Sequence, residues 1–287
     1  MQLAFTKMSG LGNDFVMIED LDGALDMSPD AVAWFCDRHF GIGGDGVILV
    51  RRATRADADY YMHYFNADGS LAEMCGNGAR CFAKYVVDHG LVPPEVDSLV
   101  IETLGGLKPV TFTRSADGTL ESATVDMGAP ELAAERIPTT LSGPRVVDVP
   151  VDTPAGEVRV TAVSMGNPHA ILWVDDVDEA PVDSVGPFLE THPHFPKRTN
   201  VEFVEVVDPG RVRVRVWERG VGETLACGTG ACAVVVAGAL GGRTARTATV
   251  ELPGGELQVR WEENDHVFMT GSAAVSFTGV VELPDEE

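Results

Sequence analysis

The sequence predicts an α+β fold made of two similar, strand-rich domains, and three observations predict it. Strand-forming segments outnumber helical ones, one helical segment is apolar on every face, and a cysteine motif occurs twice with matching surroundings. A chain of 287 residues with 45% hydrophobic content can fill two cores of ordinary size.

Each element follows from local chemistry. A helix is expected from Ser28 to His39, because Ser-Pro supplies a cap and a proline suited to the first turn. Strands follow at "VILV", "YYMHYF", "SLVIET" and "PVTFT", then at "EVRVTAV", "ILWV", "VEFVEV", "VRVRVW", "LQVRW" and "VSFTGVV". These runs are β-branched or aromatic, several alternate with period two, and Gly, Pro and Asp turns punctuate them. Further helices open near Gly76, Val185 and Gly228. The last contains "ACAVVVAGAL", which has no polar face, so a sheet must wrap it.

The two cysteine motifs are "CGNGA" at Cys75 and "CGTGA" at Cys227, 152 residues apart, and Asn66 and Glu218 each lie nine residues before a cysteine. "MSGLGNDF" resembles "VSMGNPH", with Asn13 and Asn167 offset by 154 residues. Two landmarks at nearly one offset point to a duplicated domain. The expected domains are 1–120 with a returning C-terminal strand over 272–287, carrying Cys75, and 121–271, carrying Cys227.

Charge and composition exclude several classes. Lys and Arg number 21 against 44 Asp and Glu, a net charge of −23, which disfavours nucleic acid and anionic membranes as partners. The N-terminus has no basic segment leading into an apolar one, and the longest apolar run is about half of what a bilayer needs. Five cysteines scattered through a large chain suit reduced thiols in a cytoplasm better than a disulfide framework. The expectation is a soluble, cytoplasmic protein whose partner is a small molecule, with oligomeric state open and a homodimer among the options.

Each motif puts a thiol at the start of a helix, with glycines that leave backbone N–H groups uncovered. Such an end attracts a carboxylate and draws a thiol's pKa down toward neutrality. Cys36, Cys81 and Cys232 read as small core residues. Cys81 is turned about 240° from Cys75 and Cys232 about 140° from Cys227, so neither shares its neighbour's face, and the intervals fit structural zinc poorly. "GIGGDG" at Gly41 to Gly46 has the glycine spacing of a dinucleotide site but follows a helix and precedes a strand, the reverse of what that site needs. None of Lys7, Lys84, Lys108 and Lys197 has the setting of a Schiff-base lysine, and His192 and His194 read as loop residues. No metal and no cofactor are expected. Two thiols placed as near mirror images suit inversion at an acidic carbon, one removing a proton and the other returning one.

In order along nearly the whole chain, "GLGNDF", "GIGGDGVILV", "YFNADGS", "MCGNGARC", "SMGNPH", "ERGVGETLACGTGACA" and "LPGG" resemble the motif set of diaminopimelate epimerases. The resemblance implies cofactor-free interconversion of LL- and meso-diaminopimelate, a step toward lysine and peptidoglycan precursors. It also implies two pseudo-symmetric domains, each a curved mixed sheet around a central helix, with the active site in the cleft between them. By that resemblance Cys75 and Cys227 are the acid/base pair, and Gly76, Asn77, Gly228 and Thr229 hold the reacting carboxylate. Asn13, Asn66, Asn167, Asn200, Glu218 and Arg219 match substrate contacts, and His169 with Glu218 tunes the thiols. Some relatives carry a substrate-contacting glutamine where this chain has Gly46, so Gly46 receives no role. Two other readings stay open: a proline racemase-like enzyme, and a non-enzymatic redox-sensing or thiol-binding protein, which would need the cysteines but not Asn200, Glu218 or Arg219.

Overall fold

The computed structural model describes residues 2–283. Residue 1 and residues 284–287, which belong to the expected first domain and its returning strand, lie outside the described residues. The chain divides into two compact units, residues 1–125 with 270–287, and residues 126–269.

Unit 1 begins with β1 (Gln2–Gly10) and β2 (Asn13–Glu19), followed by α1 (Pro29–Cys36), β3 (Gly46–Arg52), β4 (Tyr60–Asn66), α2 (Gly76–Asp88), β5 (Ser98–Thr103), β6 (Gly106–Arg114) and β7 (Leu120–Asp126). Neighbouring strands pair antiparallel except twice. β2 runs parallel to β3 and β4 parallel to β5, and the helices α1 and α2 make those two crossovers.

Unit 2 continues with β8 (Val149–Thr153), β9 (Gly156–Ser164), β10 (Pro168–Trp173), α3 (Val182–Glu190), β11 (Asn200–Asp208), β12 (Arg211–Glu218), β13 (Gly222–Thr224), α4 (Gly228–Leu240), β14 (Thr247–Leu252), β15 (Gly255–Trp261) and β16 (Val267–Gly271). Its plan repeats that of unit 1. β9 is antiparallel to β10, β10 parallel to β11, β11 antiparallel to β12, β12 parallel to β14, and β14 antiparallel to β15. The helices α3 and α4 again make the parallel crossovers. The last strand, β17 (Ala274–Glu282), returns to unit 1 and pairs antiparallel with β1, from Gln2 opposite Glu282 to Ser9 opposite Ala274.

The sequence dictates these elements by familiar rules. In β12 the valines Val212, Val214 and Val216 are buried, while Arg211, Arg213 and Arg215 turn outward to carboxylates on neighbouring segments. Ser28 caps α1 by accepting the Ala31 N–H at 3.3 Å, a contact worth about 1 kcal/mol. The helix stops at Cys36, three residues short of the expected His39, because the Asp37 carboxylate takes the His39 and Phe40 N–H groups and turns the chain out.

Both crossover helices that carry a cysteine motif are sheathed by strands. α4 is buried at Gly228 and continuously from Gly230 to Gly238, and packs against β9, β10, β11, β14 and β15. α2 is buried from Gly76 to Ala83 and lies against β1, β2 and β3. On the other side of its sheet, unit 1 packs Val32 and Phe35 of α1 with Val16, Ile18, Val47, Leu49 and Phe65. Unit 2 likewise packs Val185 and Leu189 of α3 with Val201, Phe203 and Leu172. No helix among the described residues is long and apolar enough to cross a membrane.

Candidate active site

In unit 1, Cys75 is the N-cap of α2, in extended backbone (φ −139°, ψ 121°), and its Sγ accepts the Gly78 N–H at 3.5 Å. Gly76 and Asn77 are therefore the first two helical residues. The thiol lies 3.6 Å from Asn13 Oδ1, which also accepts from Asn77 Nδ2 at 3.3 Å. Asn13 is oriented from behind, since its Nδ2 donates to Asp45 Oδ2 at 2.6 Å, and that oxygen also takes the Asp14 N–H at 3.0 Å. Arg80, with no solvent exposure, donates to Asn77 Oδ1 at 3.1 Å and to Ser272 O at 3.2 Å. The "GIGGDG" segment thus ends by presenting Asp45 to Asn13. Buried Lys7 reaches Gly43 O and pairs with Asp14 at 2.6 Å.

In unit 2, Cys227 is the N-cap of α4 in the same way (φ −123°, ψ 111°), and its Sγ accepts the Gly230 N–H at 3.4 Å. The Thr229 hydroxyl is 3.5 Å away. From Thr229 a chain of contacts leads inward. Asn167 Nδ2 donates to Thr229 Oγ1 at 3.3 Å, Asn167 Oδ1 faces His169 Nε2 at 3.1 Å, and His169 Nδ1 faces Glu202 Oε1 at 2.6 Å. Glu218 ends β12 nearby. Burial pushes its carboxyl above the usual range, against hydrogen bonds from the Thr224 hydroxyl, at 2.5 Å, and from Cys227.

Burial also pushes the Cys227 thiol well above its ordinary pKa, and the Glu218 and Glu202 carboxylates add to this. The Thr229 hydroxyl and the Gly230 N–H pull the other way and lose. This corrects the expectation that the helix end draws both thiols toward neutrality: at Cys227 desolvation and two nearby acids outweigh a helix terminus. Burial likewise raises Cys36 to about 11 and Cys81 to about 12, leaving both as unreactive core thiols.

The remaining expected residues fall as follows. Asn66 ends β4 in a turn and donates from Nδ2 to Ser70 Oγ at 3.0 Å. Asn200 is buried at the start of β11, where its Oδ1 accepts the Arg219 N–H at 2.9 Å and its Nδ2 donates to Pro168 O at 2.9 Å. Arg219 follows β12, and its guanidinium reaches Lys197 O at 3.3 Å. At Gly46 a side chain would start 2.4 Å from Phe65 O and 2.6 Å from the Tyr64 ring, so close strand approach fills the direction a glutamine would take. His192 and His194 sit in the loop after α3. Lys7 and Lys84 are both tied into ion pairs, with Asp14 and Asp88. Among the described residues, no three His, Cys, Asp or Glu side chains gather as a metal would require. Sequence reasoning did not single out Asp45, Arg80, Glu202 or Thr224. Arg80 carried a signal, a lone charge among the small residues of "CGNGARC".

A family model described as diaminopimelate epimerase matches residues 5–133 and 161–276. A diaminopimelate epimerase of Gloeothece citriformis is 50% identical over 287 residues, covering 99% of this chain and 100% of its own. One of Leptospira biflexa is 45% identical over 284 residues, covering 99% and 100%. Among solved structures, a probable proline racemase from Agrobacterium radiobacter superposes with a TM-score of 0.72 at 17% identity, covering 98% of this chain and 93% of the other. A hydroxyproline epimerase from Agrobacterium vitis gives 0.71 at 17% identity, with 98% and 91% covered. At such identity these two show the fold alone. The repeated strand–helix plan, the paired cysteine caps and the full-length relatives lead to one conclusion: the chain belongs to the diaminopimelate epimerase family.

Proposed function

We propose that this protein interconverts LL- and meso-diaminopimelate by two-base proton transfer, without a cofactor, as a step toward lysine and peptidoglycan precursors. The observation that carries the reading is the pair of thiols, each capping a buried helix at the same point of the same topology. One thiolate takes the α-proton, so a C–H bond breaks and an S–H bond forms. The other thiol gives its proton to the opposite face of the carbon, so an S–H bond breaks and a C–H bond forms. No atoms are gained or lost. Charge that spreads from the carbon onto the substrate carboxylate is met by the helix ends at Gly76, Asn77, Gly228 and Thr229. Burial and the nearby Glu218 and Glu202 carboxylates push the Cys227 thiol well above its ordinary pKa, which suits it to act as the resting acid, and the two-base scheme gives Cys75 the role of base.

Diaminopimelate has a second amino-acid end. We assign Asn13, Asn66, Asn167, Asn200, Glu218 and Arg219 to holding the substrate, with His169 and Glu218 tuning the Cys227 thiol. Arg219 suits a carboxylate and Glu218 an ammonium. A proline racemase would have no use for this distal set.

The test is to incubate reduced protein with LL-diaminopimelate in D2O, following isomer composition and deuterium at the α-carbon. Proline and DD-diaminopimelate serve as comparison substrates. Cys75→Ala and Cys227→Ala should each fall to near background, while Cys81→Ala and Cys232→Ala lose mainly stability, about 1 kcal/mol or more each. Efficient turnover of proline, or near-normal turnover in either of the first two variants, would reject the proposal.

A further inference from the structure

The two units share a plan, but different chemistry supports their thiols. In the strand registers Phe15 stands opposite Gly46, and His169 opposite Asn200. Phe15 and Ile48 of unit 1 therefore occupy the places that His169 and Glu202 take in unit 2. The surroundings of the first helical turns agree. A Cβ added to Gly78 would meet Ile48 Cδ1 at 3.2 Å and Phe15 Cζ at 3.6 Å, whereas on Gly230 its nearest atom would be Glu202 Oε1, at 2.7 Å.

His169 and Glu202 have no solvent exposure, and Glu202 Oε2 has no hydrogen-bond partner among the described residues. A fully buried polar pair is costly to install, and a carboxyl oxygen left without a hydrogen bond adds to the cost. Unit 1 supports the same turn with a phenylalanine and an isoleucine, so the fold does not require the pair. Its place directly beneath the Cys227 turn supplies the reason for it.

We infer that Glu202 is the positioning residue that keeps Cys227 as the proton donor of the resting site, by anchoring His169 and placing a carboxylate beneath the first turn of α4. Its catalytic meaning rests on the two-thiol reading above, but the protonation state does not. The carboxyl groups that bear on Cys227 are Glu218 from β12 and Glu202 from β11, and His169 from β10 is held by Glu202 and acts on Glu218. Within its own turn Cys227 meets the Thr229 hydroxyl and the Gly230 N–H. Of these only Glu202 and His169 have apolar counterparts in unit 1 at matching register, so they are the elements that make the two halves unequal.

The experiment is a pH titration by NMR of protein labelled at cysteine Cβ, without substrate, with the Cys227 resonance assigned through its loss in Cys227→Ser. In the unsubstituted protein Cys227 should ionise well above the ordinary thiol range. Glu202→Gln should lower the Cys227 midpoint by about one pH unit, a roughly tenfold gain in thiolate below that midpoint. Glu202→Asp, which keeps the charge, should restore most of the difference. The double variant His169→Phe, Glu202→Ile installs what unit 1 already uses, so it packs even where Glu202→Gln does not fold, and should give at least the same shift. The alkaline limb of kcat/KM for LL-diaminopimelate should move down by the same amount. Cys227 ionising in the ordinary thiol range in the unsubstituted protein, or an unmoved midpoint in the double variant, overturns the inference. If the unsubstituted protein fails to turn over diaminopimelate, the functional proposal falls, and the substrate-free titration still decides this one.

Discussion

Asp14 shows how far neighbours can overrule burial at a single residue. Burial pushes its carboxyl up, yet Arg38, bound through both nitrogens at 2.7 and 3.0 Å, and Lys7 together hold it down to about 2. A carboxyl lowered by folding contributes stability that is fully present above its unfolded value of about 3.9 and is lost as pH falls through the folded value. The melting temperature of Asp14→Asn should therefore lie below that of the unsubstituted protein at pH 6, and the gap should narrow between about pH 4 and pH 2. A gap that stays constant would show that Asp14 acts by shape alone. The cysteines and Asn13 were legible in the sequence because their motifs carry them. Glu202 was not, because "NVEFVEV" suggests a charge on an outward face. In the structure the first five residues of β11 are all buried, with Phe203 in the α3 core and Glu202 beneath α4. A strand covered on both faces loses its alternation, and with it the clue.

At the scale of the element, the two cysteine-capped helices look interchangeable in sequence and are not. A methyl group on Gly78 would press on the end of an isoleucine side chain, which can rotate away. One on Gly230 would press on a carboxylate oxygen pinned to His169 at 2.6 Å. Gly230→Ala should thus cost about 1–3 kcal/mol of stability and at least tenfold in kcat/KM, and Gly78→Ala clearly less. Equal losses measured by denaturant unfolding and by turnover would remove this distinction. The helices were legible from a Ser-Pro cap, glycine motifs and apolar patterning, and the long alternating strands from period two. Helix α3, however, opens at Val182 rather than near Val185, with Pro181 as an N-cap that makes no side-chain hydrogen bond. The strands β1, β2, β7, β8, β13, β14 and β16 were not singled out. β13 has three residues, and β7, "LESATVD", places a Glu and a Ser among its first three, so pairing partners rather than local preference make such segments strands.

For the whole molecule, the duplication was legible because two landmarks kept nearly one spacing, and the strand and helix order of the two units repeats accordingly. Their inequality was not legible, since it lies in which side chains meet beneath each cap. The pairing of β17 with β1 has a consequence for synthesis on the ribosome. Unit 2 is inserted within unit 1, so every residue of unit 2 is made before the strand that completes the first. Until then β1 offers an uncovered edge of backbone N–H and C=O groups, the condition that invites pairing with another chain. Nascent chains arrested after residue 269 has left the exit tunnel should yield a protease-resistant fragment from unit 2 while unit 1 is still digested. Release of residues 270–283 should then protect both. If unit 1 is already resistant at the first arrest point, β17 is dispensable for its folding. If it is not, the growing chain passes through an interval in which its second half is finished, its first half is open, and chaperone capture has its best opportunity.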